Sequence, residues 1–113
     1  MSKSINNGSH HWIAQRATAL LLLPLLIWLV FKVNCIIQNP EIIGDFIGSP
    51  ISMSLLLLLI MASFYHANLG LKTVFEDYVS SKCIRGVLIL MSYSISIFTI
   101  IVTIFSIITI HLL

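Results

Sequence analysis

One histidine, His66, stands inside the uncharged stretch LLLLLIMASFYHANLG. At a helical rise of about 1.5 Å per residue it lies roughly 9 Å from Lys72 and roughly 24 Å from Pro50. An imidazole at that depth is costly, so it is by default a functional candidate: proton relay, hydrogen-bonding partner or metal ligand. Gly70, one turn on, and Ala62, one turn before, share its helix face. A small-His-small stripe lets a flat macrocycle such as haem lie against the helix, or lets two helices approach closely. A six-coordinate electron-transfer haem needs a second axial ligand. His111 is 26 residues past Arg85, roughly 39 Å along a helix and at the opposite membrane face. His10 and His11 lie in a polar leader, better placed for propionates or solvent than for the iron. The missing ligand implies a partner chain or a second copy.

The stretch KTVFEDYVSSKC is the other place where chemistry is expected. It reads either as a solvated turn of mixed charge or as a site in which the Tyr78 phenol, beside the Asp77 carboxylate, hydrogen-bonds the carbonyl of a lipid-soluble quinone. Phe75 and Tyr78 suit the membrane interface. Cys35 and Cys83 fall at opposite membrane faces, so no disulfide joins them, and no C-x-x-C or Cys and His cluster suggests zinc or iron-sulfur ligation. Both read as small apolar fillers.

These residues must be positioned by membrane helices. Of 113 residues, 58% are hydrophobic and 9% charged, against about a quarter charged in a soluble domain. That excludes an ordinary soluble fold, and the scarcity of Pro, Gly and charge excludes a disordered chain. The chain reads as one all-α transmembrane unit, residues 1–113. Charges bracket three spans of the roughly 20 apolar residues a bilayer requires. The first helix is expected over about 13–37, with Lys32 snorkelling to the headgroups. Pro24 is a tolerated transmembrane proline. The second is expected from Pro50, capped by Ser49, to about 73. The third runs over about 85–112, free of formal charge beyond Arg85.

Lys3, Arg16, Lys72, Lys82 and Arg85 fall on one side of these spans. The positive-inside rule puts that side, with the N-terminus, in the cytoplasm or mitochondrial matrix, and the C-terminus outside. The net charge of +2, with no cationic cluster, gives no sign of a nucleic-acid partner. The first apolar stretch is long and lacks a small-residue cleavage site, so it is read as a retained helix rather than a signal peptide. The absence of an Arg-rich, Ser-rich leader favours a bacterial inner membrane.

Two motifs then carry a family resemblance. The order G-S-H-x-W-x-x-Q-R-A-T, formed by Gly8, Ser9, His10, Trp12, Gln15, Arg16, Ala17 and Thr18, precedes H-A-N-L-G-L-K-T-V-F-E-D-Y-V from His66 to Val79. Together they closely resemble the hydrophobic membrane anchors of succinate dehydrogenase, the smaller of its two anchor types. The resemblance spans the whole chain, and its specific part is H-x-x-x-G with D-Y ending twelve residues after the histidine. R-A-T alone is weak.

The resemblance implies a subunit of respiratory complex II, in which a flavoprotein oxidises succinate, an iron-sulfur subunit conducts the electrons, and two cytochrome b anchors hold haem b and bind ubiquinone as substrate. This chain would pack in lipid against the second anchor, dock the iron-sulfur subunit and carry no succinate-oxidising site. His66 matches the axial haem ligand, with the opposite ligand from the other anchor. Tyr78 matches the tyrosine that hydrogen-bonds the quinone, and Asp77 its acidic neighbour. Arg16 matches an arginine near the haem propionates and quinone pocket, with His10 a less secure member of that group. Gly70 and Ala62 would be haem-face positions. His11 departs from the family pattern and receives no role. Two other classes of function stand beside this one: a small proton-coupled transporter component with His66 as relay, and a structural anchor with neither haem nor quinone. Intramembrane polar groups other than His66, mainly Ser, Thr and Asn68, are few for a transporter.

Overall fold

In lipid each backbone N–H and C=O must find its partner within its own segment, so apolar stretches of this length become helices. The computed structural model describes residues 2–112, with side chains described for 9–112; the side chain of Lys3, counted above on the cationic side, lies outside them. Helix α1 spans Ser2–Gln38 and passes through Pro24 uninterrupted. A 3-10 turn, Pro40–Ile42, leads into the short helix α2, Ile43–Gly48, followed by α3, Pro50–Tyr78, and α4, Lys82–Leu112. Three of these, Ser9–Gln38, Pro50–Tyr78 and Lys82–Leu112, are long and apolar enough to cross a membrane. The described residues contain no strand.

The helices outrun the expected bounds at their polar ends. α1 starts at Ser2 rather than near residue 13, α3 reaches Tyr78 rather than 73, and α4 begins at Lys82 rather than 85. Bracketing by charge finds where lipid ends, but a helix continues into the headgroup layer until a cap or incompatible residue stops it. At about 1.5 Å per residue the 29 residues of α3 measure roughly 44 Å, against about 30 Å of hydrocarbon. His10 and His11 therefore ride on α1 itself rather than in a separate leader, and Asp77 and Tyr78 form the last turn of α3. The connection to α4 shrinks to residues 79–81. The start of α3 is as expected: Ser49 Oγ accepts from the Ser52 amide at 3.3 Å, and Pro50 fills the first helical position.

α1 and α3 pack antiparallel along a seam that can be followed residue by residue. From the N-terminal end of α1, His11 meets Thr73 and Thr18 meets His66. Gln15 lies over Gly70. Next, Leu22 and Leu25 cluster with Ala62 and Leu59, with Leu29 and Leu55 against them. Lys32 and Ser52 then border one small cavity. Each forward step of three or four residues on α1 is matched by a backward step of three or four on α3. That alternation is the periodicity of left-handed helix packing. The half of the seam near the α1 N-terminus is polar and the other half is apolar.

α4 joins the other side of α3. Asn68 Nδ2 donates to Ser96 Oγ at 2.9 Å, both residues being buried, and Ser96 Oγ donates onward to the Ser92 carbonyl. At the far end the rings of Trp28 and Phe46 stand 6.0 Å apart, tying α1 to α2. Most of the remaining apolar surface faces outward, Leu20, Phe31, Phe98 and Phe105 among it. An outward apolar face is what hydrocarbon requires.

Candidate functional site

His66 projects from α3 toward α1, where its Nδ1 lies 2.8 Å from Thr18 Oγ1. The same hydroxyl is 2.7 Å from the Ala14 carbonyl oxygen and 3.1 Å from that of Gln15. A hydroxyl has one proton. If it donated to Nδ1, the 2.7 Å approach to Ala14 would set two oxygens together with no proton between them. Donation to Ala14 instead leaves Oγ1 to accept from Nδ1–H, so that each of the two shortest contacts carries a proton. The imidazole so held carries its proton on Nδ1 and a free lone pair on Nε2. Nε2 has no hydrogen-bond partner among the described residues, and the chain does not seal it from outside. Among these residues no three His, Cys, Asp or Glu side chains gather into a metal site. A metal at Nε2 would need its remaining ligands from elsewhere, as the iron of a porphyrin does.

Ala62 and Gly70 both lie under α1. Ala62 belongs to the α1–α3 core, and a Cβ added at Gly70 would meet Gln15 Nε2 at 3.5 Å. Of their two readings, helix approach is the one whose contacts lie within this chain.

Below His66 the polar half of the seam opens into a cavity of about 600 Å³, lined by His11, Trp12, Gln15, Arg16, Gly70, Lys72, Thr73 and Glu76. The Arg16 guanidinium carbon stands 5.4 Å from the centre of the Trp12 ring, within cation–π range. His11 Nε2 is 3.1 Å from Thr73 Oγ1, which also donates to the Leu69 carbonyl. Gln15 Oε1 is buried without a hydrogen-bond partner. The cavity thus combines a cation, an aromatic ring and an unfilled acceptor at the edge of the apolar region. Such a setting receives a polar head better than an apolar tail.

The site residues expected from sequence divide. Arg16 lines the cavity; His10, Asp77 and Tyr78 do not. Tyr78 is 83% exposed, and as neighbours on a helix Asp77 and Tyr78 point in different directions. His11, to which no role was assigned, bridges α1 to α3, and Glu76 enters the cavity unannounced. Both follow the seam spacing, His11 one turn before Gln15 and Glu76 one turn beyond Thr73, so helical periodicity carried on past the apolar runs would have found them. His111 borders a cavity with Pro50 at the other end of the molecule.

Comparison with known proteins places the chain in a family. The family of succinate dehydrogenase/fumarate reductase transmembrane subunits matches residues 2–110. The succinate dehydrogenase hydrophobic membrane anchor subunit of Rickettsia bellii is 37% identical over 106 residues, covering 87% of this chain and 79% of the relative. The chain belongs to the succinate dehydrogenase hydrophobic membrane anchors. The anchor of Rickettsia felis is 39% identical over 90 residues, covering 79% and 75% of the two chains. That of Rickettsia conorii is 35% identical over 105, covering 88% and 81%. No solved structure is significantly similar. This anchor is thus a membrane subunit of succinate dehydrogenase with three apolar helices.

Proposed function

We propose that the anchor holds a haem b at His66 jointly with a second cytochrome b anchor and contributes to the ubiquinone site of succinate:quinone oxidoreductase, where electrons from succinate reach the quinone. The single observation that carries this reading is the His66 imidazole, whose Nδ1 lies 2.8 Å from Thr18 Oγ1 while Nε2 is unpaired among the described residues and open to a neighbour. The donor set fits a haem: an imidazole nitrogen of this chain would hold the iron, and a partner chain would supply the second ligand. When bound, the haem supplies a one-electron store beside the quinone.

In this reading Arg16, with His10 near it, offers positive charge to propionates at the polar end of the seam. Tyr78, beside Asp77, donates a hydrogen bond to the quinone carbonyl and stabilises charge developing on that oxygen. The exposure of Tyr78 in the single chain accords with a quinone site completed by other subunits. The flavoprotein carries the succinate chemistry, and the iron-sulfur subunit docks at the end holding Arg16, Lys72 and Lys82. We place the complex in a bacterial inner membrane with the N-terminus cytoplasmic, in line with the cation distribution and the Rickettsia relatives.

The His66–Thr18 hydrogen bond also favours a second reading, in which His66 only fastens α3 to α1 in a purely structural anchor. The absorption spectrum of the purified complex separates the two. A reduced b-type band that disappears in His66→Ala while the subunits remain assembled is the expected result. A band that persists unchanged removes His66 from the iron.

A further inference from the structure

We infer that Thr18 is the positioning residue that fixes the tautomer and ring plane of His66 and tunes the electron density it offers a metal. This rests on the haem reading above and goes beyond it, because it gives a function to a hydroxyl to which that reading assigns none. The observation is that Thr18 Oγ1 lies 2.8 Å from His66 Nδ1 and donates to the Ala14 carbonyl at 2.7 Å, which leaves the hydroxyl oxygen as the acceptor for a proton on Nδ1. An imidazole that ligates through one nitrogen and donates from the other becomes a stronger ligand, because partial negative charge is drawn onto the ring. The Ala14 carbonyl polarises the hydroxyl, so the acceptor facing Nδ1 is better than an isolated alcohol.

The relay also crosses between helices. Thr18 belongs to α1 and His66 to α3, so the ring plane depends on the register of the seam. Leu22, Leu25, Leu59 and Ala62 hold that register one turn farther along. On the other side Gln15 sits over Gly70 and His11 meets Thr73. A second hydroxyl–imidazole contact at His11 has the partners exchanged between helices, and it secures the polar end without reaching His66. The ligand is thus oriented from α1 although it is carried by α3.

The test uses the assembled complex with Thr18→Val, which keeps the branched shape and removes the acceptor, and Thr18→Ser, which keeps Oγ. The readouts are the haem midpoint potential, followed through the reduced b-type band, and the low-spin electron paramagnetic resonance line shape. Thr18→Val should shift the haem reduction equilibrium toward the reduced state by about tenfold, or about 59 mV for one electron, and broaden the line shape. Thr18→Ser should restore both. A Thr18→Val complex with unchanged potential and line shape overturns the inference while His66→Ala still abolishes the band; a band that survives His66→Ala overturns the haem reading itself. Where the valine variant fails to assemble, Thr18→Ala removes the same acceptor. Hyperfine spectroscopy of the unaltered ferric complex decides independently: an exchangeable proton on Nδ1 is expected, and its absence overturns the assignment.

Discussion

A histidine in a long apolar run is conspicuous because few side chains cost so much in hydrocarbon. His66 was therefore legible, but the hydroxyl that holds it was not. The chain is rich in Ser and Thr, and many bond back into their own helix, as Ser94 does to Leu90 and Thr99 to Ile95. Thr18 and Ser96 bond within their own helices too, and only the packed structure reveals that they also reach across. The Asn68–Ser96 bond gives a prediction at this scale. Ser96→Ala leaves the buried Asn68 amide without its acceptor and should lower stability by about 1 kcal/mol. Adding Asn68→Leu should recover part of that loss, read as the thermal midpoint of the complex in detergent; equal loss in single and double variants would mean the bond is not coupled. Tyr78 gives the opposite case. Its phenol is exposed, so Tyr78→Phe should leave the fold untouched and lower quinone reduction, while succinate oxidation by a soluble artificial acceptor persists. Equal retention of both activities would discard the quinone assignment.

Between elements, the two small residues on the His66 face should respond differently to enlargement. Ala62 is enclosed by Leu22, Leu25 and Leu59, so Ala62→Leu must push α1 from α3 and should cost about 1–3 kcal/mol. A methyl group at Gly70 meets only the tip of the Gln15 side chain at ordinary contact distance, and alanine is the better helix former by roughly 0.5–1 kcal/mol. Gly70→Ala should therefore leave the thermal midpoint unchanged or raise it. A large drop for Gly70→Ala would mean that something outside this chain already occupies the space above it. Helix number and the Ser49–Pro50 start were readable from charge and capping chemistry. The extent of α1 and α3 into the polar layer was not, since charged residues such as Lys72 and Glu76 tolerate helix as well as loop. The 3-10 turn and α2 went unnoticed because segments of three and six residues show too little periodicity.

For the molecule as a whole, the longest dimension is 55 Å, more than the roughly 40–45 Å of a bilayer with its headgroups. Both ends reach water, with Cys35 near one and Cys83 near the other, each a free and exposed thiol. If the N-terminus is cytoplasmic, a membrane-impermeant maleimide added to intact spheroplasts should label Cys35 and spare Cys83 until the membrane is opened. The reverse pattern would invert the topology. Hardly any side chain is fully enclosed and large apolar residues cover the outside, so lipid and companion subunits provide most of the burial that a soluble protein finds in its own core. The three residues between α3 and α4 also bear on biogenesis. So short a tether keeps the start of α4 beside the end of α3 from the moment both form. That proximity favours entry from the translocon as a paired hairpin, in which the Asn68–Ser96 bond spares both polar groups from solitary contact with acyl chains.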